Sequence, residues 1–282
     1  MCPKWRLAFY LPAFLLAILF HPSCSSGPRA PEKGTPAFYW QAAQERFAAG
    51  DYRKTNDHLD QLLKSDNEYT SRAQAWRLVL LTGMTASHME LADSFENGAR
   101  ANKANPVPFR RYSSDFRNEA NRLALQKAET FLDFQKKNKD SEIWLDYGFP
   151  TGSAAPVMQL TKASTGILMA TDEVETAQRR AVERGVLMAT CSAVGAPGDT
   201  AKALEVFKSG QVKVPRAQFM MALADSLYHE AGLYAPRKLD QPDRANAFCD
   251  LAMNALKEVP ESKESKELKS KIDDTLKKLR KR

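Results

Sequence analysis

Apolar side chains recur at helical spacing along most of this chain. Between Phe38 and Leu279 they return every three or four positions, which places them along one face of an α-helix. Val, Ile and Thr do not collect in the alternating runs, bounded by turns, that indicate β-strands. Residues 139–156 interrupt the helical spacing because they concentrate aromatic residues, proline and glycine. The pattern predicts an all-α protein with negligible sheet and a central loop.

The predicted helices occur in pairs joined by turns. Residues 38–49 form a first helix, and Gly50 and Asp51 turn the chain into a second helix that carries Leu59 and Leu62. Three further pairs are expected. Helices at residues 72–81 and 88–100 are joined at Gly83, and a helix at 172–194 is followed by one around 201–207, after which Pro215 ends the unit. The last pair is residues 216–231 with 243–257. A helix cannot bury its apolar stripe alone, so we expect stacked antiparallel helix pairs.

The end of the chain predicts one more amphipathic helix. Leu268, Ile272, Leu276 and Leu279 follow one another at spacings of four, four and three, with charged residues around them. Such a helix can cap a stack of helix pairs. Its basic end, residues 277–282, complements the helix dipole, and contact with an anionic lipid surface is the alternative role.

The paired pattern resembles the tetratricopeptide repeat (TPR). Residues 187–215 match it best, with Gly198 and Asp199 in the turn, Ala203 at the helix crossing and Phe207 as the aromatic of the second helix. In the first unit Tyr39 stands at the bulky position, Ala42 and Ala43 at the close contact, and residues 50–52 at the turn. The resemblance implies a TPR-like solenoid with a C-terminal capping helix. An irregular helical bundle is the alternative.

The first residues have the layout of a secretory signal. Lys4 and Arg6 precede an apolar run at residues 7–20 that is short for a membrane span, and small residues follow. Cys24, directly after this segment, resembles the lipid acceptor of a bacterial lipoprotein. The sequence therefore predicts a signal peptide over residues 1–23 and lipidation of Cys24. Cleavage near Ser26 and an uncleaved anchor are the alternatives.

Composition shifts divide the remaining chain. Residues 24–36 contain three prolines and two glycines and predict a flexible tether. We expect helical repeat-like regions at residues 37–138 and 157–260, separated by the loop at 139–156 and followed by the capping helix at 261–282. Residues 38–84 also resemble the start of the lipoprotein subunit of the outer-membrane β-barrel assembly machine. This resemblance favours the outer membrane and the periplasmic side; a soluble secreted form is the alternative.

Charge and cysteine content exclude some classes of protein. Lysine and arginine outnumber the acidic residues by 41 to 34, but the two signs are interleaved, which argues against a nucleic-acid partner. Four cysteines are too few for a disulfide framework once Cys2 and Cys24 are set aside. Cys191 and Cys249 lie in apolar helical segments, where we expect two buried free thiols; a single bridge between them is the alternative.

No pattern in the sequence predicts catalysis. His58, His88 and His229 lack a second ligand at helical spacing, so no metal site is expected, and no cofactor motif is present. The turn at residues 195–202 lacks the Gly-Lys-Ser/Thr of a phosphate loop, and Thr151-Gly152-Ser153 has no preceding strand. Asp172, Glu173 and Glu175 open a helix, where the dipole explains them.

The central loop is the one aromatic-rich candidate for recognition. Trp144, Tyr147 and Phe149 lie within six residues, and they either form an exposed recognition surface or pack inward, the second being expected. We expect the same burial for residues 106–109.

Taken together, the sequence predicts an exported, lipid-anchored scaffold that binds a protein or peptide of the cell envelope. A helical small-ligand component of a transporter and an enzyme with an unrecognised site are the alternatives.

Overall fold

The computed structural model describes residues 31–150 and 160–280, and helices dominate this part of the chain. Helix makes up 73% of the structure, in ten helices with few strands. The helical class predicted from the apolar spacing is confirmed. Cys24, the signal at residues 1–23, and Thr151-Gly152-Ser153 lie outside the described residues.

The described residues form ten α-helices and two short strands. The helices are α1 (Pro36–Ala48), α2 (Tyr52–Leu62), α3 (Thr70–Ala101), α4 (Val107–Lys137), α5 (Thr161–Ser164), α6 (Thr171–Ala193), α7 (Thr200–Val206), α8 (Arg216–Ala231), α9 (Pro242–Leu256) and α10 (Lys263–Leu279). Strand β1 (Glu142–Leu145) follows α4, and strand β2 (Val212–Pro215) precedes α8. Single turns of 3₁₀ helix lie at Phe207–Ser209 and Gly232–Tyr234.

Side-chain caps fix where several helices begin. The Thr35 hydroxyl accepts a hydrogen bond from the Phe38 backbone N–H at 3.3 Å, and Pro36 occupies the first turn of α1. Asp51 accepts from the Lys54 N–H at 3.2 Å and starts α2, directly after Gly50 at a φ of +72°. A positive φ suits glycine, so this residue permits the sharp turn between α1 and α2.

The second predicted helix pair is wrong. Residues 72–100 do not form two helices across Gly83, because α3 runs without interruption from Thr70 to Ala101. Gly83 instead lies where α3 crosses α6. A Cβ on Gly83 would stand 2.5 Å from the backbone of Val186, and one on Gly185 would stand 2.4 Å from the Gly83 carbonyl oxygen. Glycine at both positions lets the two backbones approach this closely.

The expectation of no strand is also corrected. Strands β1 and β2 pair antiparallel, with Glu142 opposite Pro215 and Leu145 opposite Val212. Pro215 therefore ends a strand and precedes α8; it does not close a helical unit as predicted. Ile143, Leu145, Val212 and Val214 point into the core, while the alternate residues are exposed.

The aromatic residues of the central segment separate into two groups. Tyr147 is buried and stacks on Trp76 with ring centroids 5.3 Å apart, and Phe149 packs against Phe207 at 5.6 Å. Trp144 remains 41% exposed, with the Lys213 ammonium 4.6 Å from its ring centre. The expected inward packing holds for Tyr147, whereas Trp144 lies at the surface of the strand pair.

Two clusters of buried apolar residues form the core of the part that the structure describes. The larger joins α1, α2, the first half of α3 and α4 from Ala120 onward to the second half of α6 and to α8, α9 and α10. The smaller lies between the second half of α3, the start of α4, α5 and α6, and includes Phe95, Phe109 and Met169. Helix α10 contributes Leu268, Ile272 and Leu276 to the larger cluster, so the predicted apolar stripe of the tail is buried.

Candidate functional site

The best candidate site is an open groove of about 540 Å³ on the surface formed by the α1–α2 turn, α3, α4 and α6. We call it the polar groove because it contains three arginines and three acidic residues beside a few apolar side chains. The residues that define it are Asp51, Arg53, Met84, His88, Glu119, Arg122, Glu175, Gln178, Arg179 and Val182.

Helical spacing brings these residues onto one surface. Met84 and His88 are four residues apart on α3, and Glu119 and Arg122 are three apart on α4. On α6, Glu175 is followed by Gln178, Arg179 and Val182 at steps of three, four and seven. Such steps put side chains on one face of a helix, so each helix contributes one stripe to the groove.

His88 lies at the base of the polar groove and connects α3 to α6. Its Nδ1 is 2.8 Å from the Met84 carbonyl oxygen, and its Nε2 is 3.3 Å from the side-chain nitrogen of Gln178. A carbonyl oxygen only accepts, so Nδ1 carries the proton and Nε2 accepts from Gln178. Burial lowers the pKa of His88, which favours this neutral form of the ring.

Glu119 and Arg122 form a two-point ion pair at the wall of the groove. The Arg122 Nε and Nη2 atoms donate to the two carboxylate oxygens at 2.8 and 2.5 Å. These hydrogen bonds lower the pKa of Glu119 and raise the pKa of Arg122, so both remain charged. Both side chains are partly exposed, and the pair therefore adds little to stability.

Three further charged groups of the polar groove lack an ion pair within the described chain, whereas Asp51 pairs with Lys54 at 3.1 Å. Among the described residues, no hydrogen-bonded ion pair involves the side chains of Arg53, Glu175 or Arg179, and all three residues are exposed. Guanidinium groups bind carboxylates through two parallel hydrogen bonds, and Glu175 offers an acceptor for basic groups. The described residues that line the groove include no Ser, Thr or Cys, so they supply no aliphatic hydroxyl or thiol nucleophile.

A second surface, where α3 and α6 meet α8, has its charges paired internally. Its cavity of about 580 Å³ contains Glu90, Arg184, His229 and Lys238. Arg184 donates to Glu90 at 2.9 Å, and Lys238 donates to Asp93 at 2.9 Å. This cavity resembles the polar groove in size but leaves fewer charged groups available to a ligand.

Beneath this second surface lies a fully buried ion pair. The Lys127 ammonium of α4 donates to Glu230 of α8 at 2.7 Å and to the Ser226 hydroxyl at 2.7 Å. Burial lowers the pKa of Lys127 and raises the pKa of Glu230, so each charge depends on the other. Ser226 lines a small adjoining cavity of about 260 Å³. Its hydroxyl donates to the Leu223 carbonyl oxygen at 2.9 Å, so the hydroxyl proton is already used in a hydrogen bond within α8.

The remaining residues singled out from the sequence lie apart from one another. The ring centroids of His58 and Tyr39 are 6.3 Å apart, whereas His229 lines the second surface. Gly195 and Gly198 have positive φ in the turn before α7, where the Asp199 side chain caps the helix. Cys191 and Cys249 are free and buried, and burial raises the pKa of each thiol to about 11. A protonated thiol is a poor nucleophile.

Neither a metal site nor a membrane span is found in the described part of the chain. Within residues 31–150 and 160–280 no three His, Cys, Asp or Glu side chains are grouped to hold a metal ion, and no helix combines the length and apolar content of a membrane span. Comparison with protein-family models, with curated proteins and with solved structures returns no match.

Proposed function

We propose that this protein is an exported, lipid-anchored helical scaffold of the bacterial cell envelope that binds a protein or peptide partner in the polar groove. The observation that carries the proposal is the set of exposed, unengaged charges, Arg53, Glu175 and Arg179, beside the apolar Met84 and Val182. An extended peptide offers carboxylates, amines and apolar side chains along its length, which matches this mixed lining.

The shape of the groove favours a peptide over a small molecule. Small-ligand sites are usually enclosed and mostly apolar, with few converging polar groups. The polar groove is open, and its charges are distributed over three segments of the chain. A transporter component that encloses a small ligand is therefore the weaker alternative. An enzyme is also the weaker alternative, since the described lining offers no serine, threonine or cysteine nucleophile.

Helix pairing supports a TPR-like arrangement. Helices α1 and α2, α3 and α4, and α8 and α9 pack together as consecutive pairs, and α10 covers the last of them. Repeat proteins of this kind bind extended partners across a broad surface. The proposed attachment is a lipid on Cys24 that holds the protein at the outer membrane. The helical part would face the periplasm, with residues 24–36 as the tether.

Crosslinking in the native envelope, followed by capture of the tagged full chain, tests this function. Arg53→Glu/Arg179→Glu is expected to lower the yield of the crosslinked partner at least about tenfold, as loss of two charge-assisted contacts implies. Arg180→Glu/Lys269→Glu is the matched control, because both residues are exposed and lie outside the groove. Equal yields from the two variants would contradict the groove assignment.

A separate variant tests the lipid anchor. In the same cells Cys24→Ser should move the protein to the soluble fraction, and unchanged membrane association would contradict the anchor.

A further inference from the structure

The end of α3 and the turn after α5 form a surface of unusual composition. Residues 97–114 contain Arg100, Lys103, Arg110 and Arg111, and residues 160–171 contain Lys162, but neither segment contains an acidic residue. All five basic side chains are exposed. We call these two segments together the basic tip.

Close backbone contacts hold the two segments of the basic tip together. The Asn102 side chain donates to the Gly166 carbonyl oxygen at 3.0 Å. Gly166 has a φ of +83°, and a Cβ there would stand 2.9 Å from the Asn102 nitrogen. A Cβ on Gly98 would stand 2.0 Å from the Ala163 carbonyl oxygen. The segments therefore form one built surface instead of two independent loops.

Large apolar side chains emerge from the same surface. Val107 is 69% exposed, contrary to the burial expected for residues 106–109, and Ile167 and Leu168 are 55% and 52% exposed. Each of these values is more than half of the residue's surface. Their neighbours Phe109 and Met169 are buried in the smaller core cluster. The exposed side chains thus project from a rigid apolar base, and removing them from water would be favourable.

The positive charge of the basic tip is only weakly offset. Arg100 lies 3.6 Å from Glu96, and Arg111 lies 4.0 Å from Asp115, in pairs whose arginines are largely exposed. Lys162 contacts Glu173 at 2.6 Å. No ion pair with another described residue engages Lys103 or Arg110. The charges of Lys103 and Arg110 therefore remain unbalanced, and they give this surface a positive potential.

We propose that the basic tip docks on an anionic lipid bilayer, with Val107, Ile167 and Leu168 entering the headgroup layer. Exposed apolar side chains ringed by lysine and arginine match the two components of such a surface, an acyl boundary and a layer of phosphates. An open cavity of about 390 Å³ beside Pro106, lined by Arg100, Lys103 and Arg110, offers a place for a phosphate headgroup. Glu96 also lines this cavity, where Arg100 and Arg117 offset its charge.

An environment-sensitive fluorophore on the tip tests this docking. The label is attached to Leu168→Cys in the full chain carrying Cys2→Ser and Cys24→Ser, while the buried Cys191 and Cys249 are retained. We expect a blue shift on phosphatidylglycerol vesicles and a much smaller one on phosphatidylcholine vesicles. A label on Leu204→Cys, a 40% exposed position on α7, should show no shift in either case.

Charge reversal separates tip docking from insertion of the N-terminal segment, which all variants share. Each basic residue near an anionic surface contributes about fivefold to binding, so Arg110→Glu/Arg111→Glu should weaken the labelled response at least about 25-fold. Lys266→Glu/Lys269→Glu on α10 changes the charge equally and should leave the response unchanged. Circular dichroism and thermal melting check that the variants are folded.

Three results would overturn the proposal. The first is that the label at position 168 shows no blue shift on phosphatidylglycerol vesicles. The second is an equal blue shift on both lipids that charge reversal does not reduce. The third is a blue shift that an envelope protein produces in the absence of lipid. The inference does not depend on the polar groove. Arg53→Glu/Arg179→Glu should retain tip docking, so the two proposals can fail separately.

Discussion

The two ends of α3 differ in how completely the rest of the molecule covers them. Near its start, Trp76 is enclosed by Trp40, Phe47 and Tyr147, with ring centroids 5.3 to 5.4 Å away. Near its end, Phe95 and Phe109 are buried, but the turns just beyond them leave Ile167 and Leu168 in solvent. One end is packed on all sides, and the other keeps apolar surface exposed.

This difference separates a structural role from an interaction role. Substitution at the aromatic end must leave a cavity or force neighbouring rings to move, because protein interiors are closely packed. Substitution at the basic tip changes a surface and should leave the fold intact. Side chains of a binding surface can change freely where stability does not depend on them. In this protein nearly the whole length of α3 separates the stabilising aromatic end from the basic tip.

The largest effect is expected when the packed end is disrupted. Trp76→Ala should lower the free energy of unfolding by about 3–5 kcal/mol, because a fully buried aromatic ring is removed. Leu168→Ala at the other end should change it by less than about 0.5 kcal/mol. Denaturant unfolding of the two variants checks this contrast, and similar losses in both would remove the distinction between the ends.

An intermediate effect is expected where α3 crosses α6, midway between the ends. Gly185→Ala should destabilise the protein by about 1–3 kcal/mol, because the added methyl group would stand 2.4 Å from the Gly83 carbonyl oxygen. Gly232→Ala is the matched control, since Gly232 has a φ of −63° and open space around its Cα. That change should be neutral or stabilise by up to about 1 kcal/mol. If thermal melting gave equal values for both variants, the crossing would be more adaptable than its geometry implies.

The smallest effect concerns pH and the neutral His88. Because burial lowers its pKa below the ordinary 6.5, the unfolded chain binds a proton more readily than the folded chain. The stability that this neutral ring contributes is therefore complete above pH 6.5 and declines as the pH falls from there toward the folded pKa. His88→Gln should show a smaller loss of melting temperature between pH 7 and pH 5 than the parent protein. An unchanged pH dependence would mean that other groups account for it.

Helices were predicted best where the apolar stripe and the residues that end the helix lie close together in the sequence. Helix α8 and helix α10 begin and end within a few residues of their predicted bounds, because apolar spacing, Gly232 and Pro260 mark them. Helix α3 was divided at Gly83, since a glycine that ends a helix and one that admits a crossing helix have the same local signal. Only the position of Gly185, a hundred residues away, distinguishes them.

Longer-range features had even less local signal. Strands β1 and β2 are four residues each, too short for alternation to stand out, and their pairing joins residues about seventy positions apart. The polar groove draws Arg53, His88, Arg122 and Arg179 from four helices. The pair Glu119 and Arg122 is visible in the sequence, but i,i+3 pairs of this kind occur on many solvated helices.

The buried contact between Lys127 and Glu230 has a consequence for how the chain can be divided. The two residues are 103 positions apart, on either side of the segment between Pro150 and Leu160. A fragment ending before this segment would carry a buried ammonium without its carboxylate, and the complementary fragment would carry the reverse. Loss of one partner of a buried pair costs about 3–5 kcal/mol, a large share of the stability of a typical domain. We therefore expect the parts of the chain before and after this segment to depend on each other. Separated by proteolysis or by gene fission, each would need reassociation with the other to become a folded protein.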